Sequence, residues 1–382
     1  MIRQLGIKNY KIHKDLQIGL ENLTILAGEN SSGKSAILQT LLLLRQSYMS
    51  GEIFNGLQLQ GELCNVGLID DAICQYADEN SIEFSMSSEK WTFEWRYATK
   101  DNSSRKDMIP FEGDVFYTNM DMERELRLFG KKVQYIGASR LGPQESYPLN
   151  TTAVESNNKI SSALGKCDLV AHYLHYYGVE KGFQINDALK FEGLDTLDLL
   201  PQVSAWENVI SKGVNVVVQP EGKAFSLKYS FSKPGEFIPG KEYSATNVGY
   251  GLSYALPVVV ALLTTPIDGI VIIENPEIHL HPQGQAALAK LIALTAQTGV
   301  QVIVETHSDH IINGILVATK KFEESGIGID RNKVKIYQCK KNDDTQLSEV
   351  HPVQIIGDGK INCQPDGFFD QTDKDLQYLM GF

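Results

Sequence analysis

Gly28, Glu29, Asn30, Ser31, Ser32, Gly33, Lys34 and Ser35 stand in the spacing GxxxxGK[ST]. Glycines at those positions free successive backbone N–H groups to wrap phosphate oxygens, and the N-terminus of a following helix adds a potential that favours anions. On such a loop Lys34 would reach the β- and γ-phosphates of a nucleoside triphosphate, and the Ser35 hydroxyl would ligate its Mg²⁺. The flanks give the motif its required context. Leu23-Thr24-Ile25-Leu26-Ala27 reads as an apolar strand, and residues 34–48 read as a helix that is apolar nearly all round.

The other candidate groups lie far along the chain. Glu274 closes the apolar run Ile270-Val271-Ile272-Ile273, where a carboxylate can reach the water shell of Mg²⁺. Asn275 follows it; an amide can orient water but cannot take its proton. Glu277 could then substitute as the base, or hydrolysis could be slow and gated. His279 and His281 look like a metal pair, but no third and fourth ligand stands at zinc spacing, so a turn facing an interface is the better reading. Val302-Ile303-Val304-Glu305-Thr306-His307 is a second apolar strand, and it ends on a histidine that could report a nearby phosphate. Thr246-Asn247-Val248-Gly249-Tyr250-Gly251-Leu252-Ser253 is a glycine-containing turn before a helix, with a plain helix cap as its alternative. Arg140 and Gln144 sit in a turn after the strand-like Tyr135-Ile136. Arg140 there reads equally well as one half of a surface ion pair.

These groups need a scaffold that gathers them. Residues 2–8 and 16–27 read as strands, and residues 81–87 and 90–98 as an antiparallel pair. Segments 99–109 and 150–162 are polar and read as surface loops. Residues 167–212 have helical spacing without a sustained heptad, which excludes a long coiled-coil arm. A strand pair is expected at 214–219 and 224–231. After it come a helix at 252–263, a strand at 269–273, a helix at 282–298 and a strand at 300–304, an order that implies a parallel sheet. Residues 333–363 are again strand-like, and 364–382 close on an aromatic cluster and a short helix.

A chain of 382 residues with 42% hydrophobic content can bury a large core. No run approaches a membrane span and the N-terminus is not a signal peptide, so the expected location is cytoplasmic. The five cysteines are scattered and read as reduced structural thiols. A net charge of −12 lends DNA binding no support, although a local basic groove remains compatible with it.

Together, residues 1–35, 133–144 and 246–310 resemble ABC-type ATPases of the RecF, SMC and OLD group, AAA-like proteins associated with prokaryotic defence. The segment from Glu274 to Pro282 is similar to that group's EEPExxLHP motif, with Asn275 in place of the second acid. The resemblance implies an α/β fold: a P-loop ABC-ATPase head with a mixed or parallel sheet, an N-terminal antiparallel part and an inserted α/β lobe. It implies ATP and Mg²⁺ as ligands, with Ser35 and Glu274 serving the metal. It makes Glu274, Asn275, Glu277 and His307 the catalytic candidates, His307 being the γ-phosphate contact. Asn247, Gly249, Gly251 and Ser253 take the place of the ABC signature, which binds ATP held by a second subunit; whether Asn247 or Ser253 does the work stays open. Arg140 or Gln144 would couple the nucleotide to the inserted lobe.

The implied division is 1–144 and 246–332 for the ATPase head and 145–245 for the lobe. Residues 333–382 form a small C-terminal module that lacks the acids of a Toprim nuclease. The implied function is an ATPase that forms a homodimer or higher homo-oligomer through ATP and switches a separate effector protein, such as a nuclease, in anti-phage defence. A non-hydrolysing ATP-locked assembly module and a RecF-like DNA-repair clamp are the alternatives.

Overall fold

A computed structural model describes residues 1–99, 106–113, 122–232, 240–362 and 371–380. The chain opens with strands β1 (Gln4–Tyr10), β2 (His13–Gly19) and β3 (Leu23–Gly28), and helix α1 (Lys34–Met49) follows the phosphate loop. Strands β4 (Ser81–Ser87) and β5 (Thr92–Ala98) join β1 and β2 in an antiparallel sheet of order β2-β1-β4-β5. Strand β6 (Val133–Ile136) comes next, then the inserted region with helix α2 (Leu199–Ile210), the hairpin β7 (Val214–Glu221) and β8 (Ala224–Phe231), and β9 (Glu242–Ser244). The remainder alternates helix and strand: α3 (Tyr250–Thr264), β10 (Ile270–Glu274), α4 (Pro282–Gln297), β11 (Gln301–Thr306), α5 (Asp309–Ser325), β12 (Val334–Lys341) and β13 (Ser348–Val353).

The central sheet has the order β13-β12-β3-β11-β10-β6, parallel except for β13. Successive side chains on a strand point to opposite faces, so a strand covered on both sides must be apolar at every position. Val271 and Ile273 pack with α2, α3, α4 and α5, whereas Ile270 and Ile272 pack with α1 and the antiparallel sheet. That double covering is why the strand reads as an unbroken apolar run. It also explains α1, which lies between two sheets and buries residues on every side.

The parallel sheet, the antiparallel N-terminal part and the inserted lobe follow the sequence-based expectation. Among the described residues the longest α-helix has 17 residues, so no coiled-coil arm is present, and no helix is long and apolar enough to cross a membrane. Two local readings need correction. Residues 150–162 are not simply a surface loop, because Val154 and Ile160 are fully buried in the main core. Met108–Pro110 forms a strand paired with Gly56–Gln58. In the C-terminal stretch β12 pairs with β3, the strand that feeds the phosphate loop. Cys64, Cys74, Cys167 and Cys339 are buried free thiols. Cys363, Phe368 and Phe369 lie outside the described residues.

Candidate functional site

The phosphate loop turns through positive φ at Gly28 (139°), Ser31 (60°) and Gly33 (98°), backbone that glycine adopts without a Cβ clash. At Gly28 a Cβ would stand 2.0 Å from the Cys339 carbonyl oxygen of β12, so packing as well as φ demands glycine there. The loop is braced from outside. His13 Nε2 lies 2.9 Å from the Gly33 carbonyl and acts as the donor, and the Ser348 hydroxyl donates to the Ser32 carbonyl at 2.6 Å. Lys34 is buried, and its ammonium donates to the Gly28 and Glu29 carbonyls at 3.0 and 2.5 Å. Burial lowers its pKa, opposed by Glu305.

Parallel pairing sets Glu274 opposite Glu305 at the ends of β10 and β11. Because β11 lies between β3 and β10, Glu305 is the nearer acid to the loop. The Ser35 hydroxyl donates to Glu305 Oε1 at 2.7 Å. Glu305 is 4% exposed, and burial raises its pKa to about 7 against the pull of the Ser35 bond. Glu274 turns the other way: it accepts from the Tyr135 hydroxyl at 3.0 Å and from the Ala138 backbone N–H at 2.8 Å. Sequence reading passed over Glu305, whose only signal was a carboxylate at the end of an otherwise apolar strand.

Asn275 has φ 45°, a left-handed conformation that asparagine tolerates better than most side chains. That gives its presence a local conformational reason. Its N–H donates to the Glu305 carbonyl at 2.8 Å, and its Oδ1 is buried without a hydrogen-bond partner among the described residues. Glu277 braces the next loop by accepting from the Thr306 hydroxyl at 2.9 Å and the His307 N–H at 2.7 Å. Partial burial, then the nearby Lys34 charge, lowers the pKa of His307.

One cleft of about 420 Å³ is lined by residues 30–36 together with Lys11, Ile12, Gln39, Asn275, Glu305 and His307. Of the sequence-derived catalytic candidates, Asn275 and His307 therefore line the loop's cleft, while Glu274 and Glu277 are not part of its lining. Asn247, Gly249 and Gly251 line a different cavity of about 650 Å³, with His279 and His281 on its wall. Asn247 is exposed; Ser253 is buried inside α3 beside Tyr229. Arg140 is no surface ion pair: it is 2% exposed, and its guanidinium donates to the carbonyls of Gly137, Tyr254, Glu274 and Asn275. The Gln144 side chain donates to the carbonyls of Gly142 and Pro143 beside it. No group of three or more His, Cys, Asp or Glu side chains gathers as a metal cluster among the described residues.

Family models match three segments. Residues 1–109 match an AAA ATPase domain, and residues 240–313 match an AAA domain described as a putative AbiEii toxin of a type IV toxin–antitoxin system. Two segments of the chain thus match AAA-type ATPase domains. Residues 329–379 match a protein family of unknown function, DUF3696, and that match includes both strands at one edge of the central sheet. No curated protein matches the sequence. Among solved structures, an SMC head bound to the C-terminal winged-helix domain of ScpA is similar at TM-score 0.54 and 14% identity, over 93% of this chain and 98% of that one. An SMC head with an extended coiled coil, bound to the C-terminal domain of ScpA derived from Pyrococcus furiosus, is similar at TM-score 0.52 and 12% identity, over 99% of both chains. At such identities the likeness shows an SMC-head fold.

Proposed function

We propose that this chain is an ATPase that binds ATP with Mg²⁺ at residues 28–35, closes on it as a cytoplasmic homodimer, and acts through a separate effector protein in prokaryotic defence. One observation carries the dimer. The phosphate loop and the turn carrying Asn247, Gly249 and Gly251 line separate cavities of one chain, which supports a turn that serves a nucleotide held by a second copy. Exposed Asn247 and Gly249 are the groups of that turn available to a neighbour.

The donor set fits Mg²⁺, a hard cation that takes oxygen ligands. The Ser35 hydroxyl adjoins a carboxylate whose second oxygen is buried and unpartnered among the described residues. The Ser35 hydroxyl would hold the ion, which when bound would offset the charge of the phosphates. Lys34 would turn from its own loop carbonyls to phosphate oxygens, Asn275 would orient a water, and His307 would contact the γ-phosphate. Glu277 holds the His307 backbone in place. Two comparisons support an effector partner: the family description naming a putative AbiEii toxin, and the SMC heads solved with domains of ScpA.

Asn275 favours a second reading, an ATP-locked module that turns over slowly or not at all, because the amide cannot serve as a base. Steady-state phosphate release by wild type, Lys34→Ala and Glu277→Gln separates the two. Release no higher than that of Lys34→Ala would leave only the binding module. Sedimentation with and without ATP tests the dimer, which should form with ATP and fail to form in Lys34→Ala; a wild type that stays monomeric at saturating ATP would sink it.

A further inference from the structure

We infer that Glu305, rather than Glu274, supplies the protein carboxylate for the divalent cation of the bound nucleotide. The inference rests on the ATP-binding reading above and names a residue that reading does not require. Three observations carry it. Glu305 Oε1 already accepts from the Ser35 hydroxyl, the group at which the loop would hold the metal, at 2.7 Å. Its Oε2 is buried and has no hydrogen-bond partner among the described residues, although the side chain lines the phosphate-loop cleft. Glu274 has neither property: both its oxygens are engaged, by the Tyr135 hydroxyl and the Ala138 N–H, and it is not part of the cleft wall.

The sheet explains the exchange of roles. Glu274 and Glu305 are register partners, but β11 is the neighbour of β3 and β10 lies one strand further out. Neighbouring strands run about 4.8 Å apart, so Glu274 starts one strand further from the phosphate-loop strand than Glu305 does. An unpartnered carboxylate oxygen on a residue that lines the cleft is a hard anionic donor, which a divalent cation selects.

Mn²⁺ is the probe, followed by electron paramagnetic resonance as it binds in the presence of adenylyl imidodiphosphate. Glu305→Gln, which keeps size and loses charge, should weaken Mn²⁺ retention roughly tenfold or more. Its nucleotide affinity in EDTA should stay at the wild-type value, and Glu305→Asp should recover part of the loss. Glu274→Gln should hold Mn²⁺ like wild type. Loss of Mn²⁺ in Glu274→Gln overturns the assignment whether or not Glu305→Gln folds, and so does full retention in Glu305→Gln. A wild type that binds no nucleotide sinks the ATP reading itself, whereas one that binds nucleotide and keeps its Mn²⁺ in both variants sinks only the role of Glu305.

Discussion

Arg140 Nη2 donates to the carbonyl oxygen of Asn275 at 2.7 Å, in the interior of the molecule. The same guanidinium donates to Glu274 O at 2.8 Å and Tyr254 O at 3.0 Å, tying the loop after β10 to helix α3. A fork with five donors can do this; an ammonium on a flexible stem cannot span the same acceptors. Arg140→Met should therefore lose roughly 3 kcal/mol of stability by stranding buried carbonyls, and Arg140→Lys should recover only part of it. Urea denaturation of the three proteins is the check, and a methionine variant as stable as wild type would show that the clamp is dispensable.

Gly28→Ala should cripple nucleotide binding, because φ is 139° and the new Cβ would meet backbone of β12 rather than a movable side chain. Gly51 gives the matched control. It also has positive φ, but nothing lies within 4 Å of its Cβ position, so Gly51→Ala should cost only about 1 kcal/mol and leave ATP affinity intact. Fluorescent-nucleotide titration of both variants reads the difference.

His13 links acidity to the loop. Burial lowers its pKa, against the opposing pull of its bond to Gly33, and Nδ1 has no partner among the described residues. Below the ordinary histidine value of 6.5 the unfolded chain binds a proton that the folded one refuses, so stability should fall as pH drops from about 6.5. Melting temperatures from pH 7 to pH 5 should decline less steeply in His13→Gln than in wild type.

Glu207 works with the opposite sign. It is wholly buried in α2, neither carboxyl oxygen has a partner among the described residues, and desolvation raises its pKa well above 4.5. A raised acid keeps its proton in the fold, so its contribution is full below about 4.5 and is lost as pH rises toward the folded value. Glu207→Gln removes the titration and should raise the melting temperature more at pH 8 than at pH 5. Equal gains at both pH values would refute the assignment of a buried neutral carboxyl.

The sequence alone determined what contiguous residues can encode. The phosphate loop needs a strand, eight residues and a helix in immediate succession, and all of them are local; the apolar runs of β10 and β11 likewise announce strands covered on both faces. Tertiary structure decided which distant groups meet. Strand order placed β11 beside β3, so Glu305, rather than the motif acid Glu274, meets Ser35. The burial of Arg140 and of Ser253, and the pairing of β12 with the phosphate-loop strand, were equally hidden. The reason is physical: periodicity fixes which face of an element is apolar, but neighbours in a sheet are chosen by how the crossover helices pack across the whole chain.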